Sequence, residues 1–308
     1  MTFTLRNNLI LAVLAGALLL AIPAGDARAL TVGVGDNGPH MFDDARFQSL
    51  DMRISRKIIP YDFYRDKFER DQLAAWLAGA QREGVRPLVA FSHSHKRPNK
   101  LPSVGEFQKA LRQLRSRHPE VRDFSPWNEA NHHTQPTWSN PKRAAQYYNT
   151  ARKICRGCRI VAADVLDIKN MLRWVTEFKR YAYKPKLWGL HSYYDANHNV
   201  PWRKSSAKLL LDNVRGHVWL TEVGGLVAFS KAYRYSERRG ANGLRNTLKL
   251  ARRSSRIQRV YLYSWYGTAH LKRRTPYKWD SGIVAANGEP RPAYYALKRW
   301  FNSFPGDR

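Results

Sequence analysis

Along the chain, short runs rich in β-branched and aromatic residues alternate with longer segments whose apolar residues recur about every 3.6 positions. Eight runs stand out, at 30–35, 51–59, 85–91, 121–127, 159–163, 187–191, 217–222 and 259–265, and they predict eight strands. Between them lie stripes such as Leu73, Trp76, Leu77 and Ala80, or Ala144, Tyr147, Tyr148 and Ala151. Each gives a helix one apolar face to lay against a sheet. Later stripes through Trp174 and Phe178, Leu210 and Leu211, Leu244 and Leu248, and Leu297 and Phe301 continue the alternation. Ser103 and Glu106 have the spacing of a capping box, and Asn140-Pro141 sets a capping residue before a first-turn proline. Strands alternating with helices pair in parallel through crossovers, and eight such units close a barrel. The expected fold is therefore α/β, a (β/α)8 TIM barrel. An open doubly wound sheet is the alternative, but Gly33-Val34-Gly35-Asp36-Asn37-Gly38 matches a phosphate loop only in part and no helix starts directly after it. The first repeat is the weakest, since 42–50 offers only a short helix.

The N-terminus follows another rule. Arg6 precedes an apolar run from Leu9 to Pro23, and Ala27-Arg28-Ala29 follows, which is the layout of a secretory signal peptide with an Ala-x-Ala cleavage site. A retained membrane anchor is the competing reading, though the run is short for a bilayer span. The expected organisation is a signal peptide at 1–29 and one barrel domain at 30–308, secreted or extracytoplasmic. Within 30–308 there is no Pro/Gly/Ser-rich linker, low-complexity tract or short repeat.

Charge narrows the partners only in part. The 308-residue chain carries a formal charge of +29, which becomes +28 once Arg6, Arg28 and Asp26 leave with the leader. Such a balance favours adsorption to polyanions, among them nucleic acid, anionic lipid and acidic cell-wall or polysaccharide material. Many of the basic residues, such as Arg112, Arg115 and Arg117, fall on outer helix faces, where they equally make a solvated surface. No zinc-finger spacing or RNP-type signature accompanies the charge, so no specific nucleic-acid partner is expected. The two cysteines, Cys155 and Cys158, cannot supply four zinc ligands, and an exported chain favours a small disulfide between them. No metal or cofactor is expected, and the protein is expected to be a monomer.

In a barrel the active site lies at the C-terminal ends of the strands, so polar residues that close an apolar run are the candidates. The fourth run leads into Trp127-Asn128-Glu129 and the seventh ends in Glu222, while Arg53, His191-Ser192-Tyr193 and Trp265 lie on the second, sixth and eighth. Alone, a strand-end Glu beside Asn is commonly a loop acid, and a strand-end Trp is more often core than platform. Two carboxyl groups from different strands that meet across a barrel mouth, however, are what glycoside hydrolysis requires. An ionised Glu222 would also hold Glu129 protonated by like-charge repulsion, setting the two to opposite roles.

At these residues the chain resembles clan A of the glycoside hydrolases, which includes the cellulase-like family five and the xylosidase-like family thirty-nine. The most specific part is Ser125-Pro126-Trp127-Asn128-Glu129-Ala130-Asn131, similar to the clan's strand-four motif, although Ala130 stands where many relatives have Pro. Val218-Trp219-Leu220-Thr221-Glu222-Val223-Gly224 is similar to the strand-seven motif. The resemblance implies that Glu129 is the general acid/base, Glu222 the nucleophile of a retaining mechanism, and Asn128 a partner of the sugar 2-hydroxyl. It further implies that Arg53 contacts the nucleophile, with Arg56 as its competitor, that Tyr193 beside His191 steadies it, and that Trp265 is a stacking platform. Trp138, Tyr194, Trp202, Tyr266 and Trp279 add flat apolar faces suited to pyranose rings. Asp164, Asp167 and Asp195 stand in reserve as acids near strand ends.

The expected function is that of a secreted retaining glycoside hydrolase acting on a β-linked poly- or oligosaccharide, with adsorption to anionic cell-wall polymers as a further expectation. Two other classes compete: a non-catalytic carbohydrate- or cell-wall-binding barrel, and a basic wall-associated structural protein.

Overall fold

A computed structural model of the protein describes residues 30–269 and 278–308; the leader at 1–29 lies outside the described residues. The strands are β1 (Thr31–Gly35), β2 (Ile54–Pro60), β3 (Arg86–Ser92), β4 (Asp123–Ser125), β5 (Arg159–Ile160), β6 (Asp164–Leu166), β7 (Leu187–His191), β8 (His217–Val223) and β9 (Ile257–Tyr263). All neighbours pair in parallel, in the order β5-β4-β3-β2-β1-β9-β8-β7-β6. The two ends of that order, β5 and β6, are successive pieces of one irregular strand. Val161 N–H donates to Phe124 O on one side at 2.8 Å, and Ala162 N–H donates to Leu187 O on the other at 2.7 Å. The sheet therefore closes on itself with eight strand positions, a (β/α)8 barrel, and the fifth position is split.

The helices are α1 (Ala45–Gln48), α2 (Lys67–Arg82), α3 (Val104–Arg117), α4 (Pro141–Ile154), α5 (Met171–Tyr181), α6 (Tyr193–Asn197), α7 (Ser206–Asn213), α8 (Glu237–Ala251) and α9 (Pro292–Ser303). Caps set several starts. Ser103 and Glu106 form the capping box of α3, and the Asn140 side chain accepts from Arg143 N–H before Pro141 opens α4. After β1 there is only a 3-10 turn, Pro39–Asp43, and the four residues of α1. Cys155 and Cys158, in the turn between α4 and β5, are joined as a disulfide.

Two apolar cores follow from strand alternation. Residues on the outer face, such as Val32, Val34, Val89, Phe91, Leu190 and Val260, pack with the helices in a continuous core. Inside the barrel a small cluster of Ile54, Leu88, Val161, Trp219 and Tyr261 fills the lower part. Gly189 faces inward above it, and a Cβ there would lie 2.5 Å from Asp164 Oδ1 and 2.8 Å from Thr221 Oγ1. The glycine makes room for the carboxylate of Asp164. Replacing Gly189 with Ala overpacks this layer and is expected to destabilise the fold by about 1–3 kcal/mol. The drop is read from the midpoint of urea unfolding followed by tryptophan fluorescence.

Candidate active site

Alternation along β2 turns Ile54 and then Arg56 toward the barrel axis, and Arg56 is 2 % exposed. Its guanidinium donates through Nη1 to Glu222 Oε2 at 2.6 Å and through Nη2 to Asn128 Oδ1 at 2.6 Å and Asp164 Oδ2 at 2.9 Å. Arg53, expected in this role, lies outside it. The second strand begins at Ile54 rather than at 51, because the chain turns through Asp51 at φ 51°. Arg53 is left ahead of the strand, where it pairs with Asp51 at 2.8 Å in solvent.

Glu222 reaches the axis through an irregularity in β8. Simple alternation would put Thr221 and Glu222 on opposite faces, yet both turn inward, Thr221 donating to Asp164 and Glu222 meeting Arg56. The pairing of β8 with β9 shifts register between Leu220 and Val223, and such a bulge re-aims a side chain. Tyr193, the first residue of α6, donates its hydroxyl to Glu222 Oε1 at 3.0 Å. Burial, and then the charge of Glu222, push the Tyr193 phenol well up, so it stays a donor.

Glu129 sits four residues beyond β4 with φ 44°, a backbone region uncommon outside glycine. Its neighbours hold it there: Asn128 N–H donates to Phe91 O at 2.7 Å, and Ala130 N–H donates to Asp164 O at 2.9 Å. Its carboxylate meets His191 Nδ1 at 3.2 Å, while His191 Nε2 lies 3.1 Å from Asp164 Oδ1. One carboxylate oxygen of Glu129, one of Glu222 and a ring nitrogen of His191 all lie within 4.8 Å of one another.

These buried charges set one another. Burial opposes the charged form of each; the cations Arg56 and His191 nevertheless hold Asp164 below the usual carboxylate range, and Asp164 and Glu222 keep Arg56 charged. Burial alone would lower His191, but the carboxylates of Asp164 and Glu222 push it up to about 10. Glu129 is held below its ordinary value, because the hydrogen bond and charge of His191 outweigh the burial that would raise it. This differs from the protonation expected from like-charge repulsion, since Arg56 balances Glu222 and His191 places a cation beside Glu129. The three clustered groups could in principle ligate a metal, but a protonated His191 has no free lone pair and Arg56 already binds Glu222.

Above the charges opens a cleft of about 780 Å³ lined by Glu129, Glu222 and Tyr193 and by the rings of Tyr194, Tyr263, Tyr266 and Trp279. Trp279 packs edge-on against Tyr193 with centroids 4.8 Å apart. Trp265, expected as a platform, is 0 % exposed and belongs to the outer core, its Nε1 donating to Asp44 Oδ2 at 3.1 Å and its ring packing on Phe47. Tyr263, two residues earlier and on the inward face, lines the cleft instead. Its signal was the alternation Arg259, Tyr261, Tyr263. Trp138 is exposed but does not line the cleft, nor does Trp202. Of the reserve acids, Asp164 is the buried partner of Arg56. Asp167 lines the cleft, and burial followed by the charge of Asp195 raises it well above its ordinary value. Asp195 caps α7 by accepting from Ser206 and Ala207 N–H.

Comparison with known proteins agrees with this arrangement at the level of family and fold. A family model described as "Glycosyl hydrolase catalytic core" matches residues 101–295. No curated protein matches the chain. Among solved structures, a GH5_18 protein from Streptomyces cattleya in complex with GlcNAc is 15 % identical with a TM-score of 0.65, covering 91 % of this chain and 82 % of its own. A monomeric beta-xylosidase from Caulobacter crescentus is 15 % identical with a TM-score of 0.60, covering 89 % and 68 %. Xylanase 10B from Thermotoga maritima is 10 % identical with a TM-score of 0.62, covering 92 % and 98 %.

The raised His191 has a consequence for stability. The folded state keeps this proton up to about pH 10, whereas an unfolded His releases it near 6.5, so stability conferred below 6.5 is lost as pH rises toward 10. Burial pulls the Lys57 ammonium down to about 8, which acts in the opposite sense above that pH. Between pH 7 and 8 the His191 effect is expected to dominate, with a fall of about 1 kcal/mol in unfolding free energy. Urea titrations across that interval check it, and His191→Gln should flatten the slope.

Proposed function

The chain belongs to the glycosyl hydrolase catalytic core family and is a glycoside hydrolase; from that premise we propose that it cleaves β-linked glycans with retention, through Glu222 as nucleophile and Glu129 as acid/base. The observation that carries the reading is the close approach of the two carboxylates, an oxygen of one lying within 4.8 Å of an oxygen of the other. A retaining pair sits about 5–5.5 Å apart, whereas an inverting pair needs about 6.5–9.5 Å to admit its water. Glu222, fixed by Arg56 and the Tyr193 hydroxyl, attacks the anomeric carbon as the bond to the leaving oxygen breaks and Glu129 protonates that oxygen. Glu129 then takes a proton from water, which attacks the glycosyl ester and frees Glu222. The proton needed first is held across the bond between His191 Nδ1 and Glu129 Oε1 at 3.2 Å. A sugar that excludes water from the cleft makes an ionised Glu129 costlier and moves the proton onto it. In this reading Asn128, whose Oδ1 accepts from Arg56, bonds the sugar 2-hydroxyl beside Glu129.

Support for a saccharide in the cleft comes from its rings and from the GlcNAc held by the Streptomyces cattleya protein of similar fold. Export through the leader at 1–29 belongs to the same reading, and the protein recovered outside the cytoplasm should begin at Leu30 on N-terminal sequencing.

The two carboxylates are separated by their variants on a panel of aryl β-glycosides. Glu222→Ala should abolish turnover on all of them, since no glycosyl-enzyme can form. Glu129→Ala should lose about 10²–10⁴-fold on poor leaving groups and less on good ones, which need little protonation. Azide should restore both, giving the β-glycosyl azide from Glu129→Ala and the α-glycosyl azide from Glu222→Ala. Exchanged products would reverse the two roles, and full activity in either variant would remove the site.

A further inference from the structure

Beside the catalytic cleft lies a second cavity of about 510 Å³, and its lining is cationic. Arg238, Arg239, Arg245 and Lys249 of α8 contribute to it, and among the described residues no carboxylate does. Arg238, Asn242, Arg245 and Lys249 recur at i, i+4, i+7 and i+11, so they form one stripe along the helix. Stacking like charges on one face opposes the helix, and among the described residues no carboxylate lines the cavity to neutralise them. Arg245 bonds only the neutral Asn242, at 2.6 Å, and among the described residues neither Arg238 nor Lys249 has an acidic partner. Glu237, the acid next in sequence, turns instead to Tyr235 and Arg291. Arg239 is fixed by donating to the carbonyls of Leu226 and Val227.

The cavity adjoins the cleft across one side chain. His198 lines both, stacking on Tyr194 of the cleft at 4.2 Å between centroids and meeting the Tyr233 hydroxyl at 3.3 Å. The helix is seated against the segment that follows Glu222: a Cβ at Gly225 would lie 1.7 Å from Gly240 O, so the two backbones touch. Charge is divided between the chambers. The cleft presents aromatic rings and the acids Asp36, Glu129, Asp167 and Glu222, and among the described residues no Lys or Arg lines it. The cations are next door.

We propose that this cavity is a subsite for an oxyanion-bearing sugar unit, a uronate or a sulfated residue, on the glycan whose neutral ring occupies the cleft. The inference rests on the glycosidase reading and narrows its substrate class to acidic polysaccharides. Arg forks match carboxylate and sulfate oxygens in pairs, and Arg245 with the exposed Arg238 and Lys249 can bracket an anion, while Arg239, its Nε and Nη2 already donating to carbonyls, adds its charge.

Binding tests it independently of turnover, in the Glu222→Gln background, by affinity electrophoresis at moderate salt. The probes are glucuronoxylan against its carboxyl-reduced form, and chondroitin sulfate against desulfated chondroitin. The cavity variant is R238A/R245A/K249A; the control, R112A/R117A/R173A, removes the same charge from exposed positions on α3 and α5. The cavity variant should lose about tenfold in affinity for an acidic polymer, the control less than about twofold, and neither should change on carboxyl-reduced xylan. The first pair responding identifies a carboxylate, and a response confined to the second identifies sulfate. Equal losses in both triple variants would reduce the effect to net charge and overturn the proposal, as would unchanged binding by the cavity variant. The same triple in the wild-type background should hydrolyse neutral aryl β-glycosides normally. If wild type hydrolyses none, the enzymatic reading fails while the binding result still stands or falls by itself.

Discussion

A guanidinium buried inside the barrel governs what surrounds it. Arg56 cannot shed its charge, so two carboxylates and an amide must face it once water is excluded. Asp164 fills that need from the split fifth strand and Glu222 from the bulged seventh position. His191 enters as a second cation because Asp164 and Glu222 hold its proton. Removing one member of such a set leaves its partners uncompensated, typically at a cost of about 3–5 kcal/mol. Orientation follows from the same balance. Glu222 is held at both oxygens, by Arg56 and Tyr193, so it cannot turn away from the cleft.

Below this layer the barrel is filled, by an apolar cluster and by the buried ion pair of Arg259 with Asp123 at 2.7 Å. Ile54, Leu88, Val161, Trp219 and Tyr261 fill the interior, and the cleft that holds Glu129 and Glu222 opens above Arg56. Regular strands suffice for the filled part. The site needs the departures: the break between β5 and β6, the shifted register in β8 and the left-handed Glu129. These bring Asp164 and Glu222 within hydrogen-bonding reach of Arg56, and Glu129 within reach of His191.

Charge is segregated on two scales. Within the barrel, cations and anions alternate at bonding distance. At the mouth, among the described residues, the acids stay with the rings of the cleft, and the basic stripe of α8 is held a single side chain away, behind His198.

Periodicity alone determined the eight strand positions, the helices between them and the end of the barrel at which Glu129 and Glu222 meet, because burial on a closed sheet repeats every two residues and burial of a helix every 3.6. The capping pairs at Ser103 and Asn140 were equally local and equally legible. What periodicity did not determine was phase. A start three residues later on β2 exchanges solvent-exposed Arg53 for buried Arg56, and the inward alternation of β9 makes Tyr263 a cleft residue and sends Trp265 to the core. Protonation was also beyond the sequence. Whether Glu129 is charged depends on His191, and His191 on Asp164 and Glu222, which lie tens of residues apart in the chain and within bonding reach only when the barrel is shut. Alternation is a property of neighbours along the backbone; phase and charge state belong to neighbours in space.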